Sequence, residues 1–171
     1  MANREITEIN RIFTSRLEVL EHILSVGSEH FSGLDTVLQE RLAEDMLPLG
    51  AQVAFACNQP RGFAYWCADK PIDNLSPEVA SAEQALAHIA ETKALIAAIS
   101  ADDSQLDEIK RIGLGPGRYC ELPARQYLSD YLLPNLYFHI TTAYAILRKL
   151  GAPLGKPDFM AFLMPYVMEE A

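Results

Sequence analysis

Long apolar runs are missing from this sequence. No stretch approaches the roughly 20 residues that a bilayer-spanning helix needs, so no transmembrane segment and no membrane partner are expected. Basic residues are in the minority, with 14 Lys and Arg against 23 Asp and Glu. The resulting charge of −9 repels phosphate backbones and anionic surfaces, which argues against nucleic acid as a partner. Cysteine is scarce: Cys57, Cys67 and Cys120 are an odd number without metal-ligand spacing, which excludes a disulfide framework and leaves free, buried or half-buried thiols. The opening "MANREITEIN" lacks a basic start followed by an apolar signal core, so a cytoplasmic location is expected. There is no G-x-S-x-G elbow, and "GLGPGR" lacks the Lys-Ser/Thr ending of a phosphate loop.

What is present is a chain of 171 residues, half of them apolar, enough for one sizeable core and hence one domain over 1–171. Ile6, Ile9, Phe13, Leu17, Leu20 and Leu24 recur in steps of three and four and predict a first amphipathic helix, with Asn3 as its cap and Gly27 as its end. Asp35 is placed to open a second helical segment, "TVLQERLAEDM", which breaks or kinks at Pro48 and restarts as "LGAQVAFACNQPRGFAYWC". Pro60 and Gly62 predict a further distortion there. Ser81 with Gln84 forms a capping-box pattern ahead of a third helix carrying Leu86, Ile89, Ile96 and Ile99, closed by Asp102 and Asp103 facing solvent. "EIKRIGLGPGRYCEL" reads as a small β-hairpin or flap. Pro123 then opens a fourth helix, with Pro134 as a kink and Gly151 past its end, before a turn and a short apolar C-terminal segment. The fold class is all-α: four long helices with a hairpin between the third and fourth, the pattern of a four-helix bundle.

Within the fourth helix, "LPNLYFHITTAYAILRKLG" carries two polar residues in an apolar run, Asn135 and His139, spaced to share one helix face. At 100° per residue they fall on a stripe with Leu128, Tyr131, Phe138, Thr142 and Ile146. The same arithmetic groups Leu49, Gln52, Ala56, Gln59 and Phe63 on the restarted helix, and carried back through the kink it adds Asp45. Buried polar groups need partners. One reading has His139 donating to a backbone carbonyl or to Gln52, with Asn135 satisfied similarly. Another is a polar pocket between helices two and four in which Asp45, Gln52, Asn135 and His139 bind a small molecule or a divalent metal. Amides are weak ligands for metals that prefer imidazole, and His22, His30 and His88 lie at no ligand spacing to His139. The opposite face, with Tyr137, Thr141, Tyr144 and Arg148, needs cover from the C-terminal segment or from a homodimer partner.

"ERLAEDMLPLGAQVAFACN" together with "LPNLYFHITTAYAILRKLGAPLGKPDF" closely resembles an uncharacterised bacterial and fungal family, the domain of unknown function numbered nineteen-ninety-three, within the DinB-like or YfiT-like superfamily of metalloenzymes. The resemblance covers nearly the whole chain and implies a DinB-like four-helix bundle. Superfamily members typically bind a divalent metal through one histidine on the second helix and a His-x-x-x-His pair on a later one. By that resemblance His139 matches the second member of the pair, Asn135 stands where the first would be, and Gln52 or Asp45 stands near the remaining position. His139 is thus the one family-matching metal candidate. Some relatives are thiol-dependent transferases or isomerases in which the metal activates a small thiol. Three functions stay open: a bundle binding a small polar ligand with the ancestral metal site largely lost, a metal-dependent enzyme using Asp45 beside His139, and a homodimer whose polar stripe fixes helix register.

Overall fold

The computed structural model describes residues 3–168. Four long helical rods and one hairpin pack around a contiguous apolar core. Helix α1 spans Arg4–His30, and its six predicted core residues are all buried. Gly27 does not end it. The helix runs on to His30, and Gly27 is instead a contact point, where a Cβ would come within 2.9 Å of Leu147 Cδ2. Nor does the Asn3 side chain cap it. The N–H groups of Glu5 and Ile6 instead donate to the Asp103 carboxylate at 3.1 and 3.0 Å. Asp103 therefore does not face solvent at the end of the third helix; it supplies the anion that α1's first turn requires. Asp102 caps the short 3-10 turn Asp103–Asp107 through Ser104 N–H at 2.8 Å.

Residues 36–46 form turns, not the predicted helix. Their backbone groups are used elsewhere: the carbonyls of Leu38 and Glu40 accept from Gly50 and Leu49, both at 2.9 Å, and those of Arg41 and Leu42 accept from Lys149 Nζ. This satisfies the first donors of α2, Leu49–Cys67, which starts directly after Pro48 without a side-chain cap. Asp35 does meet a helix start, but that of the third helix, accepting from Ala82 N–H at 2.8 Å.

Helix α2 is buried on nearly every side from Leu49 to Ala64 and continues through Pro60 without a break. It packs against α3, Ala82–Ala97, and most extensively against the fourth rod. The chain leaving α2 runs back along it in extended form. Asn58 holds it there, its amide accepting from Leu75 N–H at 2.8 Å and donating to Leu75 O at 3.3 Å, and Gly50 lets Val79 approach closely. Ser81 Oγ caps α3 through Gln84 N–H, while the Gln84 carboxamide accepts from Ala80 N–H rather than from the cap residue. Ala85, Ile89, Thr92 and Ile96 turn inward; Leu86 is exposed.

Strands β1, Ile109–Gly113, and β2, Tyr119–Pro123, form the expected antiparallel hairpin, with Ile109 opposite Pro123 and Gly113 opposite Tyr119. Pro123 ends β2, and the fourth rod follows in three parts: a helical turn α4, Ala124–Gln126, a π-type turn over Tyr127–Leu132, and α5, Leu133–Lys149. The π turn has a local cause. Pro134 has no N–H to offer the carbonyl four residues back, and Leu133 N–H donates instead to Leu128 O, five residues back. The rod ends in a Schellman motif, with Gly151 at φ +101° and Ala152 N–H donating to Leu147 O at 3.0 Å. Beyond it, the short helix α6, Lys156–Phe159, and a 3-10 turn fold back over α1 and part of α5: Phe159 meets Tyr144 edge-on, and Phe162 covers the Arg16 guanidinium, which donates to Tyr137 Oη.

Candidate functional site

His139 and Gln52 are brought together across the α2–α5 seam, with Nδ1 2.8 Å from Oε1. The Gln52 amino group donates to Leu47 O at 3.0 Å, so its oxygen faces the ring. An oxygen can only accept; His139 therefore carries its proton on Nδ1 and presents the Nε2 lone pair. The ring stacks on Phe55 at 5.3 Å and meets Phe138 edge-on. Burial lowers its pKa from 6.5 to about 4, which keeps the imidazole neutral.

Asn135 serves a different need. Its Nδ2 donates to Tyr131 O at 2.6 Å, within its own rod. It thereby satisfies a carbonyl of the irregular π turn, and its side-chain amide donates there rather than to His139 or Gln52. Asp45 is exposed in the turn segment before Pro48. The extrapolation that placed it on the α2 face assumed a helix the chain does not form. Phe138 is 56% exposed and leaves the predicted stripe, while Thr142 and Ile146 are buried as expected, together with Leu136, Ile140, Ala143 and Leu147.

No three His, Cys, Asp or Glu side chains converge to hold a metal ion among the described residues. One imidazole, already bonded through Nδ1 to an amide, does not fit the three-histidine centre that the resemblance implies. Cys57 and Cys67 are free, and burial pushes both thiols up to about 12, against thiolate chemistry.

A ligand-sized space lies beyond Phe55. A cavity of about 500 Å³ opens between α2, the extended chain after it, β1 and the π turn. Asn58, Gln59 and Gly62 form its α2 wall, Ile72 and Leu75 the second, Lys110 and Ile112 the third, and Tyr127 and Tyr131 the fourth. The tyrosines are four residues apart and stacked at 5.5 Å. Tyr127 is 3% exposed, and burial, reinforced by Tyr131, holds its phenol above the usual range. No Asp or Glu lines this cavity, although the chain has 23 of them. Burial lowers the Lys110 pKa against a smaller opposing effect of Cys67. Sequence reasoning did not single out Lys110 or Tyr127. The available signal was the pair Tyr127 and Tyr131 just ahead of Pro134, with Gly62 as a gap in an otherwise filled helix face.

The family model described as "Domain of unknown function (DUF1993)" matches residues 8–160. Among solved structures, a DinB family member protein from Shewanella denitrificans is similar at 28% identity, with 88% of each chain covered and a TM-score of 0.75. No curated protein matches the chain.

Proposed function

Because this chain belongs to the DUF1993 family and has a DinB-like fold, we propose that it is a cytoplasmic one-domain protein that binds a small organic molecule, with the metal site of its superfamily given up. The observation that carries this reading is the cavity of about 500 Å³, within the usual range for small-molecule sites. Its walls are fixed independently of any ligand: Asn58 clamps Leu75, and the β1–β2 register holds Lys110 and Ile112. Preformed walls reduce the entropy lost on binding. In this reading Gln52 and His139 set the register of α2 against α5, and Asn135 maintains the π turn that brings Tyr127 to the cavity.

Gly62 offers a direct test. A Cβ there would meet only Tyr127 Oη, at 3.6 Å, so a side chain enters the cavity without a backbone clash. Small molecules that raise the melting temperature of the wild type should stabilise Gly62→Ala and fail to stabilise Gly62→Leu. Equal stabilisation of Gly62→Leu refutes the assignment.

A second reading, a metal-dependent enzyme of the thiol-transferase type, draws on the Nε2 lone pair of His139, which has no hydrogen-bond partner among the described residues. Plasma mass spectrometry of wild type and His139→Ala, after exposure to zinc, nickel, manganese and iron and then desalting, decides it. One metal per chain, lost in the variant, supports that reading; metal-free wild type rejects it.

A further inference from the structure

We propose that the cavity takes a planar organic anion, an aromatic or enolic carboxylate of one or two rings, with its ring between the Tyr127–Tyr131 pair and Phe55 and its anionic end toward Lys110. This rests on the assignment of the cavity as the ligand site.

Charge is the first argument. The chain carries −9, yet the cavity lining contains Lys110 and Arg111 and no acidic residue. Among the described residues no carboxylate lies within ion-pair distance of Lys110, although its ammonium is partly desolvated; the Trp66 ring, at 5.8 Å, is its aromatic neighbour. A partly buried cation without a counter-ion costs stability that a bound anion recovers. A neutral or cationic ligand would leave that cost in place.

The second argument is the hydroxyl of Tyr127. Its ring is buried, but among the described residues the hydroxyl has no protein hydrogen-bond partner, and Tyr127 lines the cavity. Buried phenols ordinarily find an acceptor. With its proton held by burial, this hydroxyl is a donor. A carboxylate accepts from both an ammonium and a phenol; a simple alkyl or amine group does not.

Shape is the third. Phe55, Tyr127 and Tyr131 all line the cavity, the two tyrosine rings nearly parallel at 5.5 Å, so aromatic side chains stand on two of its sides. Flat walls favour a planar ligand over a puckered one of equal volume, through offset stacking.

The experiment is calorimetric titration of the full chain with 2-naphthoate, its neutral isostere 2-naphthamide, and the non-planar anion cyclohexanecarboxylate. Wild type, Lys110→Gln, Tyr127→Phe and Gly62→Leu are compared, each first shown to unfold cooperatively in denaturant, with Gly62→Met taking the place of Gly62→Leu should the latter not fold. Naphthoate should bind one per chain, at least ten-fold tighter than either control, with Lys110→Gln erasing the advantage over the amide and Gly62→Leu abolishing binding. Equal binding of naphthoate and naphthamide, with loss in Gly62→Leu, overturns the anion inference while leaving the cavity a ligand site. Tighter binding of cyclohexanecarboxylate overturns planarity. Naphthoate binding unaltered in Gly62→Leu overturns the site itself, and no binding of any probe to wild type at millimolar concentration overturns the ligand class.

Discussion

Replacing His139 by glutamine should remove a specific portion of the protein's acid sensitivity. In the folded state burial holds the imidazole pKa near about 4, against 6.5 for the exposed ring. The folded-state pKa of this base is depressed, so its stabilising effect is complete above the unfolded value, where both states are neutral. It declines as pH falls from about 7 toward about 4, because the unfolded chain binds a proton that the folded chain resists. At pH 5 the unfolded imidazole is almost fully protonated and the folded one about one-tenth so, a difference worth at most about 2 kcal/mol. His139 is only part-buried, and solvent screening reduces that ceiling to about 1 kcal/mol. Glutamine keeps a donor for Gln52 Oε1 and cannot titrate. Urea unfolding of both proteins at pH 7.5, 6.5, 5.5 and 5 should show wild type losing about 1 kcal/mol more than His139→Gln across the series. Burial also lowers the His88 pKa and adds a slope of the same sign, but that slope is common to both proteins and cancels. Parallel stability curves would mean that the folded and unfolded rings titrate alike, and would refute the burial assigned to His139.

Three further outcomes follow from the packing. Gln52→Leu, which leaves the His139 Nδ1–H and the Leu47 carbonyl without their partner, should cost about 1–3 kcal/mol in urea unfolding. Asp103→Ala should cost about 1 kcal/mol by uncapping α1, whereas Asn3→Ala, which removes no side-chain cap, should leave the midpoint nearly unchanged. Gly27→Val should destabilise by about 1–3 kcal/mol, because its side chain must displace Leu147 from a filled core, and Leu147→Ala in the same chain should recover part of the loss.

The helices were legible where a single physical signal dominated. The spacing of Ile6 to Leu24 is an uninterrupted apolar stripe, and Gly151 is the one residue type suited to a positive φ after α5. The same angular arithmetic, applied to two regular helices, offered Gln52 or a backbone carbonyl as the partner of His139, and Gln52 is the one it meets. It failed for Asp45 because the arithmetic crossed Pro48 into a segment whose carbonyls serve α2 and Lys149 instead of one another. Asp103 had no local signature at all, since the α1 donor it meets at Ile6 lies 97 residues earlier in the chain. The cavity was hidden for a similar reason. Its four walls come from separate parts of the sequence, and none is chemically distinctive alone.

The π turn at Tyr127–Leu132 has a consequence for how this protein can change. A π turn holds one residue more than the α turn it replaces, so it works as a phase slip of about 100° within an otherwise continuous rod. Downstream of it, α5 keeps the angular phase that seats Leu136, Ile140 and Leu147 in the core; upstream, Tyr127 takes an independent phase that turns it to the cavity. The wall of the cavity and the packing of α5 are thus set on either side of one extra residue, so a substitution that shifts the phase of Tyr127 need not shift that of Leu136, Ile140 and Leu147.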